Sequence, residues 1–259
     1  MNLIKMFNNI EEKINETSLS RRQAFNRAGE LGVKTILASL PFAIGASLLS
    51  KKSFAQSTPI IIDTLNFALT LEYLESKFYV TGLAAGTLIP ASDRTVILQI
   101  SKHETAHVAT LRSTIQSLGG NPVSEPTFDF TAKGAFPTVF DNYATFLTIS
   151  QAFEDTGVRA YKGQAGNLIS NDAVLTAALQ IHSVEARHAS EIRRIRGQKG
   201  WIVNSESGGA PAAVYTNENN LIQGGVNIST FVSSQAATEA FDEPLTMSEV
   251  LAIVDPFIV

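Results

Sequence analysis

Leu98-Gln99-Ile100-Ser101-Lys102-His103-Glu104-Thr105-Ala106-His107 and Leu179-Gln180-Ile181-His182-Ser183-Val184-Glu185-Ala186-Arg187-His188 are two copies of one pattern, Leu-Gln-Ile leading at equal spacing into Glu-x-x-His. In an α-helix, residues i and i+3 lie about 60° apart and one short turn along the axis, so each pair presents a carboxylate and an imidazole to the same point. Two of the chain's four histidines stand in this relation. The flanking apolar residues predict that both pairs face a core: Ile100, Val108 and Leu111 in the first copy, Leu179, Ile192 and Ile195 in the second.

A further echo lies upstream of each copy. Leu71-Glu72 precedes Tyr79 by the same interval at which Phe153-Glu154 precedes Tyr161. Amphipathic spacing predicts helices over residues 60–83, 92–118, 138–162 and 171–196, with Pro59 near the first start. Glycine and proline at 86–90 and 119–122, and a glycine-containing stretch at 163–170, supply the breaks. The first two helices are tightly joined, as are the last two, so each pair reads as an antiparallel hairpin. Residues 119–136 between the hairpins form a connection of about 18 residues, long enough to cross over a bundle. The expected fold is all-α, a four-helix bundle of two duplicated hairpins.

Apolar residues make up 44% of the chain and charged residues 17%, which allows a sizeable core. A net charge of −4 with a pI near 5.6 argues against nucleic acid as a partner. The clearest basic group, Arg193, Arg194 and Arg196, reads as a solvated helix end that complements the macrodipole. With no cysteine, disulfides, thiolate-bound metals and thiol catalysis are excluded, and any metal must be held by oxygen and nitrogen.

Glu72 and Glu154 sit mid-helix among apolar neighbours, like Glu104 and Glu185. Four carboxylates buried together without compensation would take up protons until neutral. Two divalent cations resolve the conflict, because four carboxylates and two neutral imidazoles balance a +4 charge. At this point the sequence resembles the ferritin-like di-iron/di-manganese carboxylate superfamily. A glutamate from helices one and three and Glu-x-x-His from helices two and four is that superfamily's pattern. The resemblance covers about residues 59–200. Carried over by position, it implies Glu72, Glu104, His107, Glu154, Glu185 and His188 as metal ligands, with Glu104 and Glu185 bridging and Glu72 and Glu154 terminal. The stretch from Leu65 through Leu71-Glu72-Tyr73-Leu74-Glu75 to Phe78-Tyr79 resembles an exported, desiccation-related subfamily.

Several nearby residues are candidates for supporting roles. Glu75 lies one turn from Glu72, although its repeat partner is Gly157; it either backs a ligand or substitutes for one. His182 and Glu191 flank the second Glu-x-x-His at three-residue spacing, and Tyr79 and Tyr161 lie two turns beyond their glutamates. His103, adjacent to Glu104, is expected to point away toward solvent.

Residues 1–55 read as an address rather than part of the fold. Ser20-Arg21-Arg22-Gln23-Ala24-Phe25 precedes an apolar run over 35–49 and then Ser53-Phe54-Ala55. The run is shorter than the ~20 residues that span a bilayer. Paired arginines ahead of it resemble a twin-arginine signal, implying that export machinery as a partner, cleavage near Ala55 and an exported, periplasmic location. Residues 56–200 are then the bundle, and 201–259 a tail expected to pack on it and to end in a short helix starting near Pro244. Trp201, Phe231, Phe241 and Phe257 are expected to dock on the bundle or on a second copy in a homo-oligomer.

Hard carboxylate ligands favour iron or manganese, and two imidazoles leave open positions for a small oxidant, peroxide or dioxygen. An oxidoreductase is therefore expected. A non-catalytic iron-sequestering protein and an envelope structural protein remain as alternatives.

Overall fold

Four long helices carry the molecule: α1 (Gly45–Ala84), α2 (Ala91–Ser117), α3 (Tyr143–Gln164) and α4 (Asp172–Ile195). They come from a computed structural model that describes residue 5, residues 7–12 and residues 45–259, with side chains from residue 58 onward in the last span. α1 pairs chiefly with α2 and α3 with α4, while α1 also faces α3 and α2 faces α4. The four helices form a bundle of two hairpins joined by a long crossover, the arrangement expected from the sequence. Among the described residues no helix is long and apolar enough to cross a membrane.

Capping sets the second hairpin. Asn142 and Asn171 accept from the backbone amides of Thr145 and Val174, satisfying donors that a helix start leaves free. α3 thus begins at Tyr143 rather than near 138; the preceding residues wind in turns, with the Asn142 amide bonded to the Thr138 carbonyl. α1 departs from expectation in the other direction, running through Pro59 back to Gly45. Proline's fixed φ is already helical, and its cost is confined to one lost hydrogen bond and crowding in the preceding turn.

Phe78 centres the aromatic core, stacked on Phe146 at 4.8 Å and edge-on to Phe153 at 5.1 Å. The crossover is pinned along α1 by Asn66, whose amide donates to the Asn121 carbonyl and whose oxygen accepts from the Val123 amide. Leu179, expected in the inward stripe, is instead 48% exposed; Ala178 and Ile181 carry that face.

The tail contains a short hairpin, β1 (Ile222–Gln223) with β2 (Val226–Asn227), then α5 (Ser234–Thr238) and α6 (Met247–Val254). A capping box between Thr246 and Glu249 starts α6, and its Val250, Leu251 and Val254 are buried. Phe257 follows, its ring edge-on to Phe153 at 4.9 Å. α3 lacks a side chain where the tail's backbone crosses it: a Cβ on Gly163 would lie 1.9 Å from the Leu245 carbonyl oxygen. Phe257 is the one tail aromatic of the four that docks. Trp201, Phe231 and Phe241 remain 50%, 74% and 38% exposed.

The N-terminal region, read above as separate from the fold, contributes to the core. Residues 7–12 are helical, Phe7 packs edge-on to Phe67 at 5.8 Å, and Ile10 is buried. Arg21, Arg22 and most of the apolar run lie outside the described residues, while Ala55 falls within the backbone of α1.

Candidate metal centre

Each helix delivers one carboxylate to the middle of the bundle: Glu72 from α1, Glu104 from α2, Glu154 from α3 and Glu185 from α4, all with 0% exposure. The i+3 spacing adds His107 and His188 to the same faces, both buried. Two overlapping groups result, Glu72 with Glu104, His107 and Glu185, and Glu104 with Glu154, Glu185 and His188; within each group the ligand atoms lie within 4.8 Å of one another. His107 Nδ1 is 3.2 Å from Glu72, 3.1 Å from Glu104 and 3.0 Å from Glu185. His188 Nδ1 is 2.8 Å from Glu104, 3.3 Å from Glu154 and 3.8 Å from Glu185. All six residues implied by the resemblance converge.

The tyrosines complete the arrangement in crossed fashion. Tyr79 of α1 donates to Glu154 of α3, and Tyr161 of α3 donates to Glu72 of α1, each at 2.5 Å. Burial and the facing glutamates push both phenols up, so they stay donors. Glu75 is buried beside the group, and Gly157 makes room for it: a Cβ there would lie 3.1 Å from a Glu75 oxygen and 3.5 Å from a Glu185 oxygen. The glycine at Glu75's repeat position is thus what admits a fifth carboxylate.

Charge is shared unevenly. Burial, aided first by Glu185, pushes Glu75 and Glu104 well above the usual carboxylate range. Burial takes Glu154 up to about 7 against the pull of His188. Glu185 goes the other way: burial would raise it, but contacts with His107 and His188 bring it down to about 2. Burial alone would lower the imidazoles; the carboxylates reverse this, raising His188 and taking His107 up to about 12.

Protons on these rings balance only part of the charge. Glu104 Oε1, Glu154 Oε2, both oxygens of Glu185 and His188 Nδ1 are buried, and the contacts they make are ion pairs within the cluster itself. Five converging buried atoms satisfied only by one another and by His107, all oxygen or imidazole nitrogen, fit divalent cations of the hard or borderline type.

Loading such a site must displace the imidazole protons. An imidazole raised from 6.5 to about 12 stabilises the metal-free fold fully below pH 6.5 and progressively less as pH climbs toward 12. Metal affinity changes in the opposite sense. The rise in unfolding midpoint on adding Mn²⁺ is expected to be larger at pH 8 than at pH 6; an equal or smaller rise at pH 8 would exclude proton displacement.

Some expectations need correction. His182 is half-buried with its Nε2 unpartnered, and neither it nor Glu191 makes a hydrogen bond or ion pair to the cluster. His103 is only partly exposed to solvent: its Nδ1 lies 2.9 Å from His188 Nε2. The side of α2 one residue before Glu104 is turned toward α4, a neighbour that a single inward stripe leaves out. Arg193 is no solvated helix end either; it is buried in a two-point pair with Asp155, which also accepts from Tyr215. Arg196 likewise turns inward to Gln151, Thr148 and the Gly208 carbonyl. No periodic signal marks Asp155 or Tyr215, because their partners are distant in sequence.

No curated protein matches the chain. The family model of the ferritin-like domain matches residues 61–198, just over half of it and the span that supplies every member of the cluster. With the four-helix architecture and the buried carboxylate–imidazole group already in place, that match assigns the chain to the ferritin-like domain family.

Proposed function

We propose that the chain is an exported dinuclear carboxylate protein that holds two iron or manganese ions and acts as an oxidoreductase on peroxide or dioxygen. The observation that carries this reading is the pair of overlapping ligand groups sharing Glu104 and Glu185. Glu104 and Glu185 would bridge, with Glu72 and His107 completing one position and Glu154 and His188 the other. Three carboxylates and one imidazole per position suit iron or manganese better than softer metals. When bound, such a pair would supply electrons to dioxygen or peroxide, or take them from a second peroxide that is oxidised to dioxygen.

The chain's own residues set the conditions. Tyr79 and Tyr161 orient the outer carboxylates by donating to one oxygen and leaving the other for the cluster. Space is scarce: the cavity beside Glu75, lined also by Thr156, Gly157 and Val254, measures about 10 Å³. That is near the minimum for one water, and none of the six cluster residues lines it. The His107 side chain, 11% exposed, is the wettest member of the cluster.

Arg21-Arg22 ahead of the apolar run supports export by the twin-arginine route, and the Leu65–Tyr79 stretch supports the desiccation-related subfamily. Cell fractionation of the full chain and peroxide assays on metal-loaded protein test both halves. Recovery outside the cytoplasm and oxygen release from peroxide without reductant are expected for manganese, and reductant-dependent peroxide consumption for iron. Metal retained without either turnover would overturn the enzymatic reading in favour of sequestration or a structural role. Recovery in the cytoplasm alone would overturn export.

A further inference from the structure

We propose that His103 is a positioning residue for His188, fixing which nitrogen of that ring faces the cluster and making the two metal positions unequal; the inference rests on the dinuclear reading above and deepens it. His188 turns Nδ1 toward Glu104, Glu154 and Glu185, and its Nε2 lies 2.9 Å from His103 Nδ1. The two rings lie edge to edge and nearly coplanar, their centroids 5.1 Å apart and their planes 11° from parallel. Beyond them, Gln99 Nε2 is 2.7 Å from His103 Nε2, and Gln99 is exposed. A neutral imidazole that binds a cation through Nδ1 carries its proton on Nε2. That N–H needs an acceptor, which His103 Nδ1 provides. His103 then carries its own proton on Nε2 and donates outward to Gln99, once the exposed amide turns over to present its oxygen in place of the Nε2 that now faces the ring. The chain Gln99–His103–His188 thus locks one tautomer and one ring orientation from the surface inward.

The other half has no counterpart. Val184 stands where the repeat of His103 would fall, although Gln180 repeats Gln99. Among the described residues His107 makes its hydrogen bonds through Nδ1 alone, to Glu72 and Glu104. The ion on the His188 side therefore meets a ligand already aimed, and the ion on the His107 side meets one that must be held by the metal itself. Outer hydrogen bonds of this kind are worth about ten- to hundredfold in metal affinity.

The test is an anaerobic calorimetric titration of the full chain with Mn²⁺ alone, using wild type, His103→Phe and His103→Asn. Phenylalanine keeps an aromatic ring but offers no acceptor; asparagine places its Oδ1 where Nδ1 was. In His103→Phe one of two ions is expected to bind about ten- to hundredfold more weakly with the other unchanged, and His103→Asn is expected to restore it. Unfolding midpoints of the metal-free variants establish that each is folded. If His103→Phe matches wild type, or if both variants weaken alike, His103 has no positioning role and its ring merely packs. Wild type that takes up no Mn²⁺ would overturn the dinuclear reading itself, whereas two ions held equally by all three proteins removes only the role of His103.

Discussion

Replacing Glu104 and Glu185 together by alanine is expected to strip the chain of metal. Both residues belong to both ligand groups, so the double variant leaves only Glu72 with His107 and Glu154 with His188. Two protein donors per ion do not hold iron or manganese through desalting, where four can. Elemental analysis is expected to fall from about two ions per chain to about none. Glu154→Ala touches one group only and is expected to leave about one ion. Of the two acids removed, Glu104 is pushed far up by burial and its loss relieves the metal-free fold, while Glu72 and Glu154 remain to pair His107 and His188 when Glu185 is gone. The metal-free double variant is therefore expected to stay folded by circular dichroism. Equal metal in wild type and the double variant would sink the ligand assignment.

Arg159→Met is the substitution expected to cost the most stability. Arg159 is fully buried on α3, and its guanidinium donates to the carbonyls of Val214, Thr216 and Glu243 and pairs with Glu218 at 2.8 Å. Methionine fills part of the volume but leaves three carbonyls short of a donor and a buried carboxylate without a counter-charge. Breaking a buried pair from one side costs about 3–5 kcal/mol. Urea unfolding should report a loss of that size, with cleavage by added protease concentrated in residues 203–243. Glu218→Gln keeps an acceptor for the Glu243 amide, which Glu218 now binds at 2.9 Å, and is expected to cost less. A loss below about 1 kcal/mol for Arg159→Met would mean that the apolar face of α6 alone holds the tail.

The bundle was legible because its signals are local and repeated. Helical period, glycine and proline breaks, and the duplicated Leu-Gln-Ile…Glu-x-x-His pattern each need only a short window. The same holds for the six converging cluster residues: mid-helix glutamates among apolar neighbours announce their own burial. What escaped depended on which helix lies beside which. Adjacency to Glu104 turns His103 off the inward stripe and toward solvent, yet α4 packs on that side. Arg193 and Arg159 are long cations whose partners, Asp155 and Glu218, become neighbours only when the hairpin and tail close. The start of α3 was misplaced because the turns preceding Asn142 carry the same apolar spacing as the helix that follows.

The crossed tyrosines bear on how such a molecule could arise. Each half lends its phenol to the other half's acid, and neither half uses its own. Two separate, identical hairpins meeting about a twofold axis would make the same pair of bonds. An ancestral gene encoding one hairpin could thus have worked as a dimer before fusion, and later drift on one side alone, as at Glu75 opposite Gly157 and His103 opposite Val184, would have been free to specialise the two ends of a once symmetrical centre.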